Sequence, residues 1–280
     1  MNKYDLPGHG VPKSGHLPLR GKTILVTRSR AQSEAITAHL EAFGARVIHF
    51  PTIEVVPPSS WAPVDASIGR IREYDWIVFT SANGVHFFCR RLSETRNDGL
   101  EALADHVVCA IGPATARAVE AAGAVAQVIA SDSRAEGALA AIIAHVGGNE
   151  NVRGLRILIP RARVAREVLP EGLRSLGAHV DAVEAYQTVK PDVRPEDIVR
   201  LFTETSIDAI TFTSSSTVTN FAELAGLTDL SDLLASTLVA CIGPVTAETA
   251  AIYGLTRVIQ PEVYNATELV ATLVKSIGQP

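Results

Sequence analysis

An internal repeat constrains the fold of this 280-residue chain more than any other feature of its sequence. Residues 24–47 match residues 157–180 at nine of 24 positions, with an offset of 133 residues. Two further pairs of segments follow in the same order at offsets of 133 and 131, namely TSANGV with TSSSTV and IGPATARAVEAAG with IGPVTAETAAIYG. Three matches in one order and at nearly constant spacing indicate two copies of one unit.

Each copy alternates short apolar runs with helical segments, the pattern of a parallel α/β sheet. Buried strands are predicted at Ile24–Thr27, Arg46–Phe50, Trp76–Thr80 and Val107–Ile111 in the first copy, and at Ile157–Ile159, His179–Val183, Ala209–Thr213 and Leu238–Ile242 in the second. About four helical turns follow the first strand of each copy, and prolines and glycines are placed to begin or end helices at Gly44, Pro113, Gly123, Gly177, Pro244 and Gly254. We therefore predict two similar α/β domains with parallel sheets.

The segments 51–58 and 185–191 occupy matching places in the two copies. Both are extended, rich in β-branched residues and bounded by proline, so they are predicted as two linker strands between the domains. This pattern leaves two arrangements open. The domains are consecutive halves of the chain, or each domain borrows elements across the linkers.

Composition argues against several classes of protein. Hydrophobic residues make up 47% of the chain and charged residues 20%, which is typical of a folded domain with a buried core. A net charge of −5 argues against nucleic-acid binding, and no apolar run reaches the roughly 20 residues of a membrane span. Three separated cysteines without a CxxC pattern favour neither a disulfide framework nor a zinc site. Residues 1–20 lack the apolar core of a signal peptide and are predicted to form a flexible tail, so we expect a cytoplasmic protein.

Polar turns follow two strands of each copy, at the sheet edge where parallel α/β proteins bind ligands. One pair of turns carries Ser81, Ala82 and Asn83 in the first copy and Ser214 and Ser215 in the second, and Thr115 and Thr246 follow the Gly-Pro pairs. Hydroxyl groups and free backbone N–H groups at helix N-termini favour anions. The same residue types also serve as ordinary N-caps, so both interpretations stay open. No Walker or Rossmann glycine pattern supports nucleotide binding.

Arginines follow the first strand of each copy, at Arg28, Arg30, Arg161, Arg163 and Arg166. The planar guanidinium group suits carboxylates, although a solvated helix face explains the same pattern. Tyr186 lies in the second predicted linker, where its hydroxyl can donate a hydrogen bond or a proton, or where the ring simply packs across the hinge. No nucleophile elbow and no HExxH motif is present, and no metal site is predicted.

From residue 21 to the C-terminus the chain resembles the uroporphyrinogen-III synthases, which are enzymes of tetrapyrrole biosynthesis that need no cofactor. The resemblance rests on the ILVTR opening, FTSANGV, AYQT, FTSS and IGPVTA, together with their order and twofold repetition. The family fold has two α/β domains joined by a two-stranded β linker, with the active site in the cleft between them. By this resemblance residues 21–52 join residues 191–280 in one domain, and residues 55–185 form the other.

The resemblance implies a cyclising lyase that acts on linear hydroxymethylbilane, a substrate with eight carboxylates. Loss of the hydroxyl group as water leaves an azafulvene, and a spiro intermediate then inverts ring D to give uroporphyrinogen III. Tyr186 matches the linker tyrosine that assists this departure. Substrate contacts are implied at residues of the shared motifs and at three arginines that follow the first strand of each copy. These residues are Arg28, Ser81, Ala82, Asn83, Thr115, Arg161, Arg166, Ser214, Ser215 and Thr246.

One departure from the family lies after Ile159, where Pro160-Arg161-Ala162-Arg163 replaces a turn that is often glycine-rich and acidic. The alternative function is a non-catalytic tetrapyrrole-binding or regulatory relative that uses the same cleft. A third possibility, a sugar- or amino-acid-binding protein, would normally carry a secretory signal. We expect a monomer with no nucleic-acid or membrane partner.

Overall fold

The structure is a computed structural model that describes residues 17–278, without the side chains of residues 30–32. Contacts divide the chain into two compact units. The first unit joins the chain up to Glu54 with the chain from Lys190 onward, and the second comprises Val55–Val189. In the described part of the chain, no helix has both the length and the apolar character needed to cross a bilayer.

Two sheets contain the strands of the described residues: β1 Thr23–Val26, β2 Arg46–His49, β3 Glu54–Val56, β4 Trp76–Phe79, β5 Val107–Ala110, β6 Val128–Ile129, β7 Arg156–Ala162, β8 His179–Val189, β9 Ala209–Phe212, β10 Leu238–Cys241 and β11 Val258–Ile259. The five-stranded sheet of the first unit has the order β11-β10-β9-β1-β2, and all its pairings are parallel. The six-stranded sheet has the order β3-β8-β7-β4-β5-β6, and the pairings from β8 to β6 are parallel. The predicted α/β class is thereby confirmed, whereas the internal repeat stays an interpretation of the sequence.

Helices connect the strands at α1 Arg30–Ala42, α2 Ala62–Gly69, α3 Ala82–Thr95, α4 Pro113–Ala121, α5 Ala135–Val146, α6 Val168–Ser175, α7 Pro195–Glu204, α8 Ser215–Ala225, α9 Pro244–Ile252 and α10 Ala266–Ile277. As predicted, Pro113 and Pro244 are the first residues of α4 and α9. Gly44 and Gly177, just after α1 and α6, both have a φ of +91°, a backbone conformation that favours glycine. Helices α3 and α4 begin directly after β4 and β5, which places their N-termini at the carboxyl edge of the sheet.

Each sheet buries both of its faces, as parallel sheets do. Along β4, Ile77 and Phe79 pack into one apolar cluster, while Trp76 and Val78 pack into another on the opposite face. The first unit shows the same alternation at β1, where Leu25 faces one cluster and Ile24 faces the other. The continuous apolar runs in the sequence reflect this two-sided burial.

The structure differs from three expectations about the chain's layout. Helix α6 has eight residues, about two turns and not four, because β7 continues through Pro160 to Ala162 before the chain turns. The strand predicted at 179–183 and the linker strand predicted at 185–191 overlap one continuous 11-residue strand, β8, while the linker role stays a prediction. Leu19 is fully buried in an apolar cluster of the first unit, so the predicted tail of residues 1–20 extends too far; residues 1–16 lie outside the described residues.

Candidate active site

Tyr186 occupies a position on β8 that a break in strand pairing creates. Up to Arg161 and Glu184 the strands β7 and β8 pair residue by residue, but the next pair joins Ala162 to Tyr186. The backbone N–H of Arg163 also donates to the carbonyl of Tyr186 at 2.9 Å. Such irregularities change the direction in which a side chain points and are common beside functional sites. The result is a tyrosine that is only 7% exposed near the end of the pairing between β7 and β8.

Helix α3 contacts the Tyr186 side chain at two points. Ser81, the N-cap residue of α3, accepts a hydrogen bond from the Gly84 N–H at 3.0 Å through its Oγ. The same Oγ lies 2.9 Å from Tyr186 Oη, a hydrogen bond in which either hydroxyl can be the donor. Phe87 stacks on the Tyr186 ring with centroids 5.9 Å apart and planes 16° from parallel. The phenol is therefore held at its oxygen and on its ring face.

A cavity of about 220 Å³ in the second unit has Tyr186 in its wall. Apolar residues contribute much of the lining, including Ile111, Ile159 and Leu169. Arg161 and Arg166 add two guanidinium groups to the same lining. The cavity thus combines an apolar surface and positive charge with a tyrosine in its wall, which suits an organic anion that must exchange a proton.

Arg161 makes a salt bridge with Glu167 across the turn between β7 and α6. The Arg161 side chain is 16% exposed, while that of Glu167 is 46% exposed. The hydrogen bond from Arg161 lowers the pKa of the Glu167 carboxyl, which therefore stays ionised. A carboxylate ligand that binds Arg161 has to compete with this internal carboxylate.

A second cavity, of about 160 Å³, lies within the first unit. Arg28, Ser214 and Ser216 are among its lining residues, together with Thr213, Thr217 and Asn220. Ser214 is the N-cap of α8 and forms a capping box with Thr217. Guanidinium and hydroxyl groups near the N-terminus of α8, together with the Asn220 amide, give this cavity the character of an anion site.

The other predicted site residues line neither cavity. Thr115 and Thr246 lie in the first turns of α4 and α9 and are only 4% and 5% exposed. Ala82 and Asn83 form the first turn of α3, and Ser215 donates its hydroxyl to the carbonyl of Val245 at 3.1 Å. Arg163 is exposed, and the side chain of Arg30 lies outside the described residues. The structure therefore brings together Ser81, Arg161, Arg166 and Tyr186 in one unit, and Arg28 and Ser214 in the other.

Sequence reasoning missed Phe87, Gly84 and Glu167. Phe87 is part of an apolar run in an amphipathic helix, so its spacing indicates only a core position. Only the three-dimensional structure shows why residue 84 is glycine, since a Cβ there would lie 2.9 Å from the carbonyl oxygen of Pro160. Glu167 directly follows Arg166, and nothing in the local pattern shows that it pairs with Arg161.

Metal and thiol chemistry have no support among the described residues. These residues hold no group of three or more His, Cys, Asp or Glu side chains that could bind a metal ion. Burial raises the pKa of all three thiols, Cys89, Cys109 and Cys241, to about 12. Because the thiolate is the reactive form, these cysteines are inert near neutral pH.

Comparison with known proteins gives one consistent family. A family model described as uroporphyrinogen-III synthase HemD matches residues 34–271. The uroporphyrinogen-III synthase of Synechococcus elongatus is 37% identical over 239 residues, which cover 83% of this chain and 86% of that protein. A putative uroporphyrinogen-III synthase of Methanothermobacter thermautotrophicus is 33% identical over 262 residues, covering 91% and 98% of the two chains.

Solved structures agree at the level of the fold. A mutant uroporphyrinogen III synthase of Thermus thermophilus has a TM-score of 0.54 at 18% identity, covering 91% of this chain and 98% of that one. The uroporphyrinogen-III synthetase of Helicobacter pylori has a TM-score of 0.55 at 13% identity, covering 91% and 99%. At these identities the likeness supports the α/β fold and nothing finer.

Proposed function

Because the chain belongs to the uroporphyrinogen-III synthase family, we propose that it closes linear hydroxymethylbilane into uroporphyrinogen III with inversion of ring D, and we assign steps of this reaction to its residues. It is a cyclising lyase of tetrapyrrole biosynthesis. The substrate, a flexible polycarboxylate, has to be folded so that its two ends meet. Holding reacting atoms in place can supply a large part of the rate enhancement of such a ring closure.

The first chemical step breaks the bond between carbon and the hydroxyl oxygen of the hydroxymethyl group. That oxygen must gain a proton to leave as water, while the pyrrole electrons form the azafulvene. In our proposal the Tyr186 phenol supplies this proton. The proton that is released when the inverted ring regains its aromaticity restores the phenol, so the protons balance over one turnover.

The arginines and the helix N-termini bind the carboxylates in this proposal. Arg161 and Arg166 line the cavity that contains Tyr186, and Arg28 lines the cavity of the other unit beside Ser214. A chain with a net charge of −5 binds a polyanion only if positive charge is concentrated where the ligand lies. Arg161 and Arg166 supply positive charge to the cavity that Tyr186 also lines, and Glu167 offsets part of it through its salt bridge with Arg161.

The observation that carries the proposal is the placement of Tyr186. Its side chain is 7% exposed, contributes to the wall of the cationic cavity and is fixed by the Ser81 hydroxyl at 2.9 Å. A phenol is a weak acid, so we expect a contribution at or below the lower end of general acid catalysis, about 10- to 100-fold in kcat.

The test is to mix the purified protein with freshly made hydroxymethylbilane and to separate the oxidised products by isomer. Hydroxymethylbilane closes unaided to the type I isomer, so the background is included in the assay. Predominantly type III product is the expected result. Type I product alone from a folded protein would refute the enzyme and would favour a non-catalytic tetrapyrrole-binding relative.

Tyr186→Phe tests the assignment of the proton donor. We expect kcat to fall about 10- to 100-fold, with KM changed less than twofold, because the substitution removes one oxygen and leaves the arginines in place. Circular dichroism and thermal melting check that the fold is intact. An unchanged kcat would remove Tyr186 from the mechanism while leaving the ring inversion itself untouched.

The proposal also includes a monomer that works in the cytoplasm without nucleic acid or membrane. Light scattering after size exclusion measures the mass in solution. A mass of one chain, both free and with substrate, is the expected result, and a stable dimer would contradict it.

A further inference from the structure

Helix α3 supplies both of the contacts that fix the Tyr186 phenol. Ser81 lies at its N-cap and Phe87 about two turns later, and they meet the hydroxyl oxygen and the ring face respectively. Phe87 is 8% exposed and belongs to a small apolar cluster with Ala185 and Tyr186. One rigid element therefore determines both the direction of the phenol oxygen and the tilt of its ring.

Ser81 is suited to assist a phenol that gives up its proton. Its Oγ already accepts the Gly84 N–H at 3.0 Å, so its own O–H is free to donate to Tyr186 Oη. In that arrangement the phenolic proton is left for the substrate. When the phenol becomes phenolate, the negative charge receives a hydrogen bond from a hydroxyl that is itself bonded to the N-terminus of a helix, where the helix dipole is positive.

The N-terminus of α3 is itself fixed against strand β7. A Cβ on Gly84 would lie 2.9 Å from the carbonyl oxygen of Pro160, a distance that real Cβ atoms essentially never show. The first turn of α3 can approach β7 this closely only because residue 84 is glycine. Strand β7 also pairs with β8, which carries Tyr186. Contacts with β7 therefore fix the positions of both helix α3 and Tyr186.

From these contacts we propose that Ser81 and Phe87 are positioning residues that act on the reaction through Tyr186 and not by touching the substrate. The inference rests on the proposed function and deepens it. It reassigns Ser81, which the sequence pattern placed among the substrate contacts. It also adds Phe87, which the sequence analysis did not single out.

A double-mutant cycle tests the inference. Ser81→Ala and Phe87→Leu are each made in the wild-type chain and in Tyr186→Phe, and kcat and KM are measured for type III product. We expect Ser81→Ala to lower kcat about tenfold and Phe87→Leu about threefold, with KM changed less than twofold. In the Tyr186→Phe background both substitutions should change kcat less than twofold, because the group they position is gone.

Matched controls separate positioning from general loss of structure. Asn265→Ala removes the N-cap of α10, which accepts the Glu268 N–H at 2.9 Å, and should leave kcat unchanged. Phe88→Leu shortens the neighbouring aromatic side chain of α3, which packs on Phe79 and not on Tyr186, and should also keep kcat. Ser81→Thr retains a capping hydroxyl and should retain at least half of the wild-type kcat.

The outcomes distinguish the inference from the function on which it rests. If Ser81→Ala costs as much in Tyr186→Phe as in the wild type, Ser81 acts on the substrate or on the fold, and the inference is wrong. An equal loss of kcat in Asn265→Ala would contradict it as well. If Tyr186→Phe keeps full turnover, Tyr186 is not the proton donor, and the inference that Ser81 and Phe87 position it is wrong. Type III product from the wild type would still establish the synthase activity. Type I product from the wild type would instead overturn the proposed function.

Discussion

Gly84→Ala adds one methyl group at a place where the structure leaves no room for it. The new Cβ would lie 2.9 Å from the carbonyl oxygen of Pro160 and 3.3 Å from Ser81 Oγ. The carbonyl belongs to strand β7, inside a paired sheet, so it cannot swing away as the end of a flexible side chain would. The first turn of α3 has to move instead, and Ser81 moves with it.

Two opposing effects decide the change in stability. Alanine is favoured over glycine in a helix by up to about 1 kcal/mol. Forcing an extra carbon into a well-packed contact costs about 1–3 kcal/mol. Gly84 lies in the first turn of α3, where the higher helix propensity of alanine stabilises least. The cost of the close contact is therefore larger than the gain in helix propensity. We expect a net loss of about 1 kcal/mol in the free energy of unfolding.

Gly69→Ala is the matched control for this substitution. Gly69 is the last residue of α2, and a Cβ there meets no heavy atom within 4 Å. Its backbone φ lies outside the left-handed region, so alanine introduces no strain. The same chemical change should therefore stabilise the protein by about 0.5 kcal/mol, because it reduces the freedom of the unfolded chain. Both glycines belong to the second unit, so one unfolding transition reports on both.

Tryptophan fluorescence in urea measures that transition. The chain has two tryptophans, Trp61 and Trp76, and both belong to the second unit. We expect the urea midpoint to fall for Gly84→Ala and to rise for Gly69→Ala with unchanged slopes. Turnover should fall only in Gly84→Ala, since the displaced Ser81 no longer holds Tyr186. A Gly84→Ala protein as stable as Gly69→Ala would refute the reasoning from the close contact.

Two further predictions concern the arginines and the thiols. Arg28→Ala and Arg161→Ala should each raise KM, more at low salt than at high salt, whereas Glu167→Gln should lower KM about twofold because it removes the internal competitor for Arg161. Steady-state kinetics at two ionic strengths check both signs, and an unchanged KM in Glu167→Gln would show that the ion pair does not compete. Because burial raises each thiol pKa to about 12, the folded protein should not react with a disulfide reagent at pH 8, and all three thiols should react in urea.

The strands and helix ends of this fold could be predicted because local chemistry determines them. The strand predicted at Trp76–Thr80 ends one residue earlier in the structure, where Ser81 begins to cap the next helix. Gly123 follows the end of α4 with a φ of +89°, as its position in the sequence indicated. Apolar runs, N-cap residues and glycines determine strands and helix ends through interactions within a few residues of the chain. Short windows of sequence therefore suffice to predict these elements.

The details of the candidate site depend instead on contacts between distant residues. The sequence pattern divided β8 into a strand and a linker strand, because nothing local shows that the two extended segments join into one strand that pairs with β7. The break in pairing that places Tyr186 opposite Ala162 results from this partnership. The hydrogen bond between Ser81 and Tyr186 joins residues 105 positions apart. Residue types could therefore be predicted from the sequence, but their partners could not.

The two strand-end serines show how capping and function can be told apart. Both alternatives were open for each of them, and the structure shows that each is an N-cap: Ser81 accepts the Gly84 N–H, and Ser214 accepts the Thr217 N–H. Capping is therefore what the two serines share and cannot by itself indicate a site. The two serines differ in the residue at a second matching position. The offset of 133 residues that relates Ser81 to Ser214 also relates Ile53 to Tyr186. Ile53 lines the cavity beside Ser214 with a side chain that has no polar atom. This difference between the two matching segments of the sequence thus favours Tyr186 over Ser81 as the residue that meets the reacting oxygen.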